Sequence, residues 1–337
     1  MIRVSAGVVR RADGKILICK RGEGRKNAHL WEFPGGKQES GETPAECLKR
    51  ELQEELLLPV QTGRILCTEE KQGILFDFVY AETAEEPTLT EHEAMAWVTP
   101  REMLCYTFCP ADTDVAMRMA LNDPPLKNFL WDFDGTLMNT YPAMVQAVIR
   151  AAEKQGMHPL AENVTRLMMH DLRYCVHTLA EENSGDEEQL YADYRREEAG
   201  IPPEDIDVMP GMAEALQTLK ERGGRHFLVT HRGEDAWRYL EYQGLQALFD
   251  GGVTRDDHLP RKPAPDMILH VMRTFGLRPE ETIMIGDRPL DTEAGFRAGI
   301  LSCMLDTSGR FAEDPAELYA RDAASMMGLL CAEPLIL

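Results

Sequence analysis

The sequence contains no run of about 18 consecutive apolar residues, the length that a membrane-spanning helix requires. It also lacks an excess of basic residues: 36 Lys and Arg stand against 57 Asp and Glu, and the formal net charge is −21. Nucleic-acid binding needs basic stripes and anionic membranes attract basic segments, so neither is expected as a main partner. A small nucleotide still fits this charge, because bound Mg²⁺ and a few local Lys or Arg residues reverse the field inside a pocket.

Paired cysteines are absent as well. The eight cysteines are scattered without a CxxC pair, and although Cys105 and Cys109 lie close, there is no second pair to complete a zinc site. The first residues, MIRVSAGVVRRADGK, lack the apolar core and the small-residue cleavage site of a signal peptide. We therefore expect reduced thiols in a cytoplasmic protein. The sequence leaves its oligomeric state open.

The length and the turn-forming residues predict two domains, both of the α/β class. A chain of 337 residues is too long for one ordinary core. Its most compact breaker cluster is Asn-Asp-Pro-Pro at residues 122–125. We expect a first domain over residues 1–123 and a second over residues 126–337.

The two domains differ in their expected elements. In the first, an Asp-Gly turn predicts a hairpin, and Thr43 followed by Pro44 predicts a helix start. Its strands are expected at residues 4–9, 15–20, 74–80 and 93–98, and its helix at 43–57. The second domain starts with a buried strand and then alternates strands and helices from about residue 210, a rhythm typical of a doubly wound parallel sheet. Its helix-like stretch at residues 141–209 is expected to be an insertion over the strand ends.

Three carboxylates share one face of the helix in the first domain. Glu51, Glu54 and Glu55 stand at positions i, i+3 and i+4. Such a cluster repels itself unless its oxygens hold a cation such as Mg²⁺. A solvated acidic face is the commoner origin of Glu-rich helices. Here, however, Gly, Glu, Arg and Leu residues also fall at fixed intervals around the three acids, which favours the metal site.

Residues 36–58 resemble the Nudix box, G-x5-E-x7-R-E-U-x-E-E-x-G-U, in which U is apolar. One residue departs from it: Leu57 stands where the family has Gly. Because that Gly ends the helix, we expect its loss to lower the stability of the helix end by about 1 kcal/mol and to leave the metal site intact. The preceding WEFPGGK is similar to the MutT-type branch. The resemblance covers residues 2–121 and implies an α/β/α sandwich with a mixed sheet that hydrolyses a nucleoside diphosphate linked to another group.

The Nudix resemblance also implies roles for individual side chains. The groups that would hold Mg²⁺, with Mn²⁺ as the alternative, are Glu51, Glu54, Glu55 and the Gly36 carbonyl. The helix glutamates and Glu91 would share metal binding and water activation. Arg21 and Lys37 correspond to phosphate contacts, for which an ordinary surface charge is the alternative reading. Phe33 and Asp112 correspond to positions that hold the base.

Asp112 bears on the choice of base. The branch that acts on oxidised guanine has Asn at this position, which offers a donor and an acceptor, whereas an ionised Asp only accepts. An ionised Asp112 suits a base edge rich in N–H donors, such as the cytosine amino group, while a buried, protonated one would imitate Asn. The local pattern resembles enzymes for CTP, dCTP and modified pyrimidine or oxidised purine triphosphates. Capping of a helix over residues 113–120 is a second reading of the same residue.

A second set of polar residues lies at expected strand ends in the second domain. In WDFDGTL, Asp132 can attack phosphorus, and Asp134 can protonate the leaving oxygen and then activate water. Thr230 can hold a phosphoryl oxygen, and Lys262 can neutralise it and orient Asp132. The acids expected to hold Mg²⁺ in this domain are Asp132, Asp134, Asp287 and Asp291.

This second set resembles the haloacid dehalogenase-like superfamily over residues 129–337. The resemblance implies a Rossmann-like parallel sheet with a helical cap at about 141–209 that sets specificity, similar to the phosphoglycolate phosphatase group. Asp134 argues against true dehalogenation, because the phosphate-using members need that second acid. His231 and Arg232 directly follow Thr230. The sequence does not distinguish whether their side chains enter the site or face solvent.

Together the resemblances predict a bifunctional Mg²⁺-dependent hydrolase of small nucleotide or phosphomonoester substrates, without nucleic-acid or membrane partners. The Nudix half would convert a nucleoside triphosphate, of the CTP, dCTP or 8-oxo-dGTP type, to monophosphate and pyrophosphate. The other half would release nucleoside or split the pyrophosphate. The alternative is a phosphoglycolate or sugar-phosphate phosphatase, or a phosphomutase, whose Nudix half senses nucleotides.

Overall fold

The computed structural model describes residues 2–168 and 171–335. It divides into two compact units, one formed by the residues up to Pro125 together with the segment from Gly328, the other by Leu126–Met327. The second domain was expected to continue to the end of the chain, but the segment from Gly328 groups with the first unit, where Leu335 lies in the apolar core. Residues 1, 169, 170, 336 and 337 belong to the predicted domain and cap ranges and lie outside the described residues.

The first unit is built on a seven-stranded mixed sheet with the central order β3-β2-β1-β6-β5. Its strands are β1 (Ile2–Arg10), β2 (Ile16–Lys20), β3 (Trp31–Glu32), β4 (Gly35–Lys37), β5 (Gln61–Lys71), β6 (Ile74–Glu82) and β7 (Ala94–Val98). Strands β1 and β6 pair in parallel, and the predicted hairpin forms between β1 and β2. Strand β5 was not predicted, because none of its side chains is fully buried and the apolar alternation is lost.

Two helices complete this unit, α1 (Pro44–Leu56) and α2 (Thr113–Asn122). Helix α1 begins as predicted, because the Thr43 hydroxyl accepts a hydrogen bond from the Glu46 N–H while the Glu46 carboxylate accepts one from the Thr43 N–H. Its leucines pack with Val9 and Val79 of the sheet. The helix ends at Leu57, whose φ of 48° lies in the left-handed region that favours glycine.

The second unit contains a six-stranded parallel sheet with the order β10-β9-β8-β11-β12-β13. Its strands are β8 (Asn128–Trp131), β9 (Arg225–Val229), β10 (Phe249–Val253), β11 (Thr282–Gly286), β12 (Leu301–Leu305) and β13 (Leu318–Ala320). Because the order reverses between β8 and β11, the chain leaves these two strands in opposite directions and opens a crevice at their carboxyl ends. Strand β10 was not predicted, since its two glycines weaken the apolar pattern.

Helices of the second unit fall into an insertion and a set that alternates with the strands. The insertion consists of α3 (Tyr141–Glu153), α4 (Ala161–Met168), α5 (Leu172–Asn183) and α6 (Glu187–Ala199). The alternating set is α7 (Met212–Glu221), α8 (Asp235–Tyr242), α9 (Asp266–Phe275) and α10 (Pro289–Ala298). Helix α11 (Ala323–Leu330) follows β13, and its last three residues group with the first unit. Within the described residues, no helix has the length and apolar character needed to cross a membrane.

Candidate active sites

Asp132 follows β8 and lies at the buried crevice of the second unit. Its N–H donates to the Ile285 carbonyl of β11 at 2.9 Å, which holds it at the point where the strand order reverses. Lys262 Nζ donates to Asp132 Oδ1 at 2.6 Å and to the Val229 carbonyl at 2.8 Å. Burial disfavours the charged form of Lys262, but the neighbouring Asp132 and Asp291 keep its pKa above the ordinary value. The lysine therefore stays cationic and orients the carboxylate of Asp132.

Three buried acids, Asp132, Asp287 and Asp291, form an acidic cluster with ligand atoms within 4.8 Å of one another. Burial raises the pKa of Asp287 to about 7, with Arg288 opposing the shift and the two other acids adding to it. The Oδ2 atom of Asp132 is buried and has no hydrogen-bond partner. These buried carboxylates repel one another, and one of them has an unpartnered oxygen. The acidic cluster is therefore suited to supply the oxygen ligands of a divalent cation.

Asp134 lies outside this acidic cluster. Its Oδ1 accepts hydrogen bonds from Arg232 Nη2 at 2.7 Å and Arg232 Nε at 3.0 Å. The structure thus pairs one oxygen of the Asp134 carboxylate with a guanidinium, and Asp134, which was expected to help hold the metal, is not one of the three clustered acids. Arg232 is only 3% exposed, so the solvent-facing reading of that residue is wrong. The Thr230 hydroxyl is buried beside it and accepts the Arg232 backbone N–H at 3.0 Å.

Tyr141, at the start of α3, holds Asp287 from the cap side. Its hydroxyl donates to Asp287 Oδ2 at 2.9 Å, and the Thr136 hydroxyl donates to Oδ1 at 3.2 Å. Gly135 has a φ of 79°, and a Cβ there would come within 2.3 Å of the Tyr141 ring and 2.5 Å of Asp287 Oδ2. Only glycine fits this approach. The glycine of the DGT motif thus makes room for the contact between Tyr141 and Asp287.

In the first unit, Glu51 lies against the backbone of Gly36. A Cβ at Gly36 would come within 2.2 Å of the Glu51 carboxyl carbon, so the glycine opens the space beside that acid. Arg50 donates to Glu51 at 3.0 Å and to Glu54 at 3.3 Å, and Glu42 accepts from two of its nitrogens at 2.7 and 3.1 Å. The side chain of Glu54 is 58% exposed. These glutamates share a helix face, but their oxygens do not form a compact cluster like that of the second unit.

Glu55 is the buried acid of this face. Burial raises its pKa to about 7, with His92 opposing the shift and Glu51 and Glu91 adding to it. Its Oε2 has no hydrogen-bond partner and lies 3.9 Å from His92 Nε2. The unpartnered oxygen and the space at Gly36 fit a divalent cation. Glu91 is half exposed and forms an ion pair with Arg25.

Of the residues expected to bind substrate, Arg21 is in an ion pair, Lys37 is exposed and Phe33 is buried. Arg21 forms an ion pair with Glu32, and its Nε donates to the Lys26 carbonyl at 2.8 Å. Lys37 is exposed at the end of β4. The Phe33 ring is 2% exposed and packs in the apolar core, so its side chain is not available to stack on a base.

Asp112 is buried, 5% exposed, and its Oδ1 accepts the backbone N–H of Phe33 at 3.0 Å. It stands at the cap position of α2, but its side chain makes no capping hydrogen bond. The interpretation that the Asp112 side chain caps this helix is therefore wrong. Burial raises the pKa of Asp112 to about 8, against the opposing Phe33 N–H. At neutral pH the carboxyl group is mostly protonated, so it both donates and accepts as an Asn side chain does.

Family models match both halves of the chain. Residues 129–305 match a model described as haloacid dehalogenase-like hydrolase, a range that includes Asp132, Lys262 and Asp287. The chain belongs to the haloacid dehalogenase-like hydrolases. Residues 1–119 match the NUDIX domain model, so this haloacid dehalogenase-like hydrolase also carries an N-terminal Nudix domain.

Curated relatives resemble one half each. A CTP pyrophosphohydrolase of Escherichia coli is 36% identical over 118 residues, which cover 33% of this chain and 86% of that protein. The pyrophosphatase PpaX of Halalkalibacterium halodurans is 28% identical over 194 residues, which cover 53% of this chain and 83% of that protein. The crystal structure of a predicted phosphoglycolate phosphatase from Haemophilus somnus has a TM-score of 0.54 at 21% identity, covering 60% of this chain and 97% of that one, and it shows the fold alone.

The haloacid dehalogenase-like and Nudix halves make this chain a hydrolase with two hydrolase domains. Both families generally depend on a divalent metal ion, in keeping with the acidic cluster of the second unit. Sequence reasoning missed the contact of Tyr141 with Asp287 and left Arg232 undecided. No motif marks Tyr141, and the only signal for Arg232 was its position two residues after Thr230.

Proposed function

We propose that this chain catalyses two metal-dependent phosphate hydrolyses, nucleoside triphosphate pyrophosphohydrolysis in the first unit and phosphate-ester or anhydride hydrolysis in the second. The observation that carries the second activity is the Lys262–Asp132 contact of 2.6 Å beside an Asp132 oxygen without a partner. The first activity is supported by Glu51, Glu55 and Gly36, and by the 36% identity to a CTP pyrophosphohydrolase.

In the second unit, an Asp132 oxygen attacks phosphorus while Lys262 holds the other oxygen in place. Asp134 protonates the leaving oxygen and then takes a proton from the water that releases phosphate from Asp132. Arg232 keeps the Asp134 carboxyl group in position for both steps. The Thr230 hydroxyl is assigned to a phosphoryl oxygen.

The second unit is proposed to hold Mg²⁺ through Asp132 and Asp287. When bound, the ion supplies positive charge that stabilises the phosphoryl oxygens as charge builds up on them. Asp291 contacts Lys262 Nζ at 2.5 Å and accepts the Arg288 N–H at 3.3 Å, so we assign it to positioning the lysine as well as to the acidic cluster. Tyr141 and Thr136 fix both oxygens of Asp287.

In the first unit, Mg²⁺ is assigned to Glu51, Glu55 and the Gly36 carbonyl, with Glu54 joining when it leaves Arg50. Arg50 contacts Glu51 and Glu54 at once, so it restrains both acids in the free protein. Water activation is assigned to Glu54 and to Glu91, because both side chains are exposed and can reach solvent water.

The base is proposed to meet Asp112 in its protonated form. A carboxylic acid that donates and accepts suits both a cytosine edge and an oxidised purine edge, so CTP, dCTP and 8-oxo-dGTP are the first substrates to compare. Phosphate contacts are assigned to Lys37, which is exposed, and to Arg21, once a phosphate competes with Glu32 for its guanidinium.

The test is a pair of full-length variants, Glu54→Gln and Asp132→Asn, assayed with nucleoside triphosphates and small phosphate compounds. We expect Glu54→Gln to lower triphosphate hydrolysis by at least 100-fold, on the order of the effect of losing a general base, and to leave phosphate release intact. Asp132→Asn is expected to do the reverse. The proposal is lost if neither variant alters its own reaction.

A nucleotide-sensing role for the first unit is the second candidate. It is favoured by one observation: Arg50 holds Glu51 and Glu54, and the three helix glutamates do not cluster. A sensor would bind a triphosphate without hydrolysing it and would change the phosphatase rate. Turnover of any triphosphate that depends on Glu54 would exclude this candidate.

A further inference from the structure

Glu198 is a buried acid of the helical cap to which the reaction described above gives no part. It lies near the end of α6. The Tyr194 hydroxyl donates to Glu198 Oε1 at 2.8 Å, and Arg195 forms an ion pair with Oε2. A buried carboxylate disfavours folding unless it is paired, and these two groups of the cap pair this one.

A third group that faces Glu198 comes from the core. Arg232 Nη2 lies 3.7 Å from Glu198 Oε1, and both side chains are buried. Burial disfavours the charged form of Arg232, but Asp134 and Glu198 keep its pKa above the ordinary value. The cap carboxylate and the core guanidinium therefore attract each other away from solvent, where the attraction between charges is stronger than in water.

The same guanidinium holds Asp134, the proposed acid. The Nε and Nη2 atoms of Arg232 both donate to Asp134 Oδ1, while Oδ2 accepts no hydrogen bond from the described part of the chain. An oxygen that accepts two charge-assisted hydrogen bonds is a poor position for a proton, so the proton that Asp134 transfers is assigned to Oδ2. Arg232 thus determines which oxygen of Asp134 delivers the proton.

Arg232 is also held from the core side. Its Nη1 donates to Asp235 Oδ2 at 3.2 Å, and its guanidinium carbon lies 5.4 Å from the ring centres of both Phe133 and Tyr239. The Asp235 side chain is 32% exposed and that of Glu198 is 6% exposed, so solvent screens the first contact more than the second. Glu198 is therefore the less screened of these two carboxylates beside Arg232.

We propose that Glu198 is a positioning residue for the proton transfer by Asp134 and that it acts through Arg232. This role rests on the phosphatase function proposed above. Glu198 belongs to the cap, whereas Asp134 and Arg232 follow strands β8 and β9 of the core. The three groups meet only where the cap lies against the core beside Asp134, as it does in this structure. They therefore couple the position of the cap to the orientation of the acid.

The step that Glu198 would affect is the departure of the leaving group. The bond from phosphorus to the leaving oxygen breaks as an Asp132 oxygen bonds to phosphorus, and the Asp134 proton passes to the leaving oxygen. A leaving oxygen that is unstable as an anion needs this proton more than a stable one does. A misplaced acid should therefore slow the hydrolysis of esters with poor leaving groups most, whereas a role of Glu198 in cap packing alone would slow all esters alike.

The experiment compares phenyl phosphate with p-nitrophenyl phosphate, two esters of similar shape whose leaving anions differ in stability. Full-length Glu198→Gln keeps the size of the side chain and an acceptor for the Tyr194 hydroxyl, but it loses the charge that faces Arg232. The parameter is kcat/KM, which includes the departure of the leaving group and not the later release of phosphate from Asp132. We expect kcat/KM to fall about 10-fold for phenyl phosphate and less than about 2-fold for p-nitrophenyl phosphate.

Two further variants of α6 accompany this comparison. Tyr194→Phe removes the hydroxyl that orients Glu198 and keeps the charge, so it should cause the same selective loss at a smaller size, about 3-fold. This variant keeps the test decisive if Glu198→Gln does not fold. Glu197→Gln is the matched control, because this neighbouring acid pairs with Arg150 and Lys154 inside the cap. It should leave the ratio between the two esters unchanged.

A double variant tests whether Glu198 acts through Arg232. Arg232→Lys already removes the planar fork that holds Asp134. Adding Glu198→Gln to it should lower kcat/KM for phenyl phosphate by less than a further factor of about 2, because residues that act as one unit have non-additive effects. A full additional loss would show that Glu198 acts by another route and would overturn the inference.

The remaining outcomes separate this inference from the phosphatase function. A selective loss on phenyl phosphate in Glu198→Gln or Tyr194→Phe supports it. An equal loss on both esters, or no loss on either, overturns it and leaves the phosphatase function intact. If the wild type hydrolyses neither ester in a manner that depends on Asp132, the phosphatase function fails and this inference fails with it.

Discussion

Arg232 places two of its nitrogens, Nη2 and Nε, at 2.7 and 3.0 Å from one oxygen of Asp134. The contact fixes the proposed acid and base group from one side, so an Arg232→Lys variant, which keeps the charge but loses the planar fork, should misplace it. We expect kcat for a phosphate ester to fall by about 10-fold to 100-fold, with a smaller change in KM. Steady-state kinetics with p-nitrophenyl phosphate measure this.

Arg232→Ala carries a second expected effect. It leaves the buried Glu198 without one of its cationic neighbours and Asp134 without its partner, so the free energy of unfolding should fall by about 3–5 kcal/mol. Urea unfolding measures this loss, with Arg273→Ala as the control. Full activity in the lysine variant would contradict the positioning role of Arg232.

Tyr141 should contribute to metal affinity, because it donates to Asp287 Oδ2 at 2.9 Å. We expect Tyr141→Phe to raise the Mg²⁺ concentration needed for half-maximal phosphatase activity by about 10-fold, the usual effect of losing a group that orients a metal ligand. A Mg²⁺ titration of activity measures this, and Tyr242→Phe, at an exposed tyrosine, is the control. An unchanged Mg²⁺ requirement would mean that the Tyr141 hydroxyl has no part in holding the metal.

Asp112 should make the first unit less stable as the pH rises. Its pKa is raised from 3.8 to about 8, so between these values the folded state keeps a proton that the unfolded state loses. The free energy of unfolding therefore falls with pH across this window, by up to about 1.4 kcal/mol per pH unit. Asp112→Asn removes this dependence. Hydrogen exchange of α2 from pH 5 to pH 8 measures it, and Asp114→Asn, an exposed change on the same helix, is the control.

The same substitution tests the choice of base. If the protonated carboxyl group acts as an amide does, Asp112→Asn should keep the preference among CTP, dCTP and 8-oxo-dGTP at pH 7. The wild-type preference should shift only above about pH 8, where Asp112 ionises, while that of the Asn variant stays constant. If the wild type and the Asn variant already differ in their substrate preference at pH 6, an ionised Asp112 meets the base.

Leu57→Gly should stabilise the first unit by about 0.5–1 kcal/mol. Leu57 adopts a φ of 48° and its side chain is exposed, so glycine relieves the left-handed strain with little loss of burial. Leu57→Ala keeps that strain and should bring no gain. Hydrogen exchange in α1 measures the stability of the wild type and of the two variants. Equal stability of the Gly and Ala variants would show that the left-handed backbone at Leu57 is not strained.

Elements with a local signal were predictable from the sequence. Helix α1 shows this, since Thr43, Pro44 and Glu46 form its start through contacts within one turn. Strands β5 and β13 were not predictable. The first has no fully buried side chain, and the second is three residues long and pairs with β12 at the edge of the sheet. Their strand character depends on neighbours that are distant in sequence, which periodicity does not reveal.

The sequence by itself determined which acidic and basic side chains could form the sites and at which strand ends they lie. Motif spacing and strand periodicity are local properties, so the sequence shows them directly. Tertiary structure decided how these groups are paired. Long-range packing buries Asp112 and so raises its pKa, brings Arg232 to Asp134 across 98 positions of sequence, and joins Tyr141 to Asp287 across 146. Burial and pairing depend on which distant segments exclude water together, and only the folded chain specifies that.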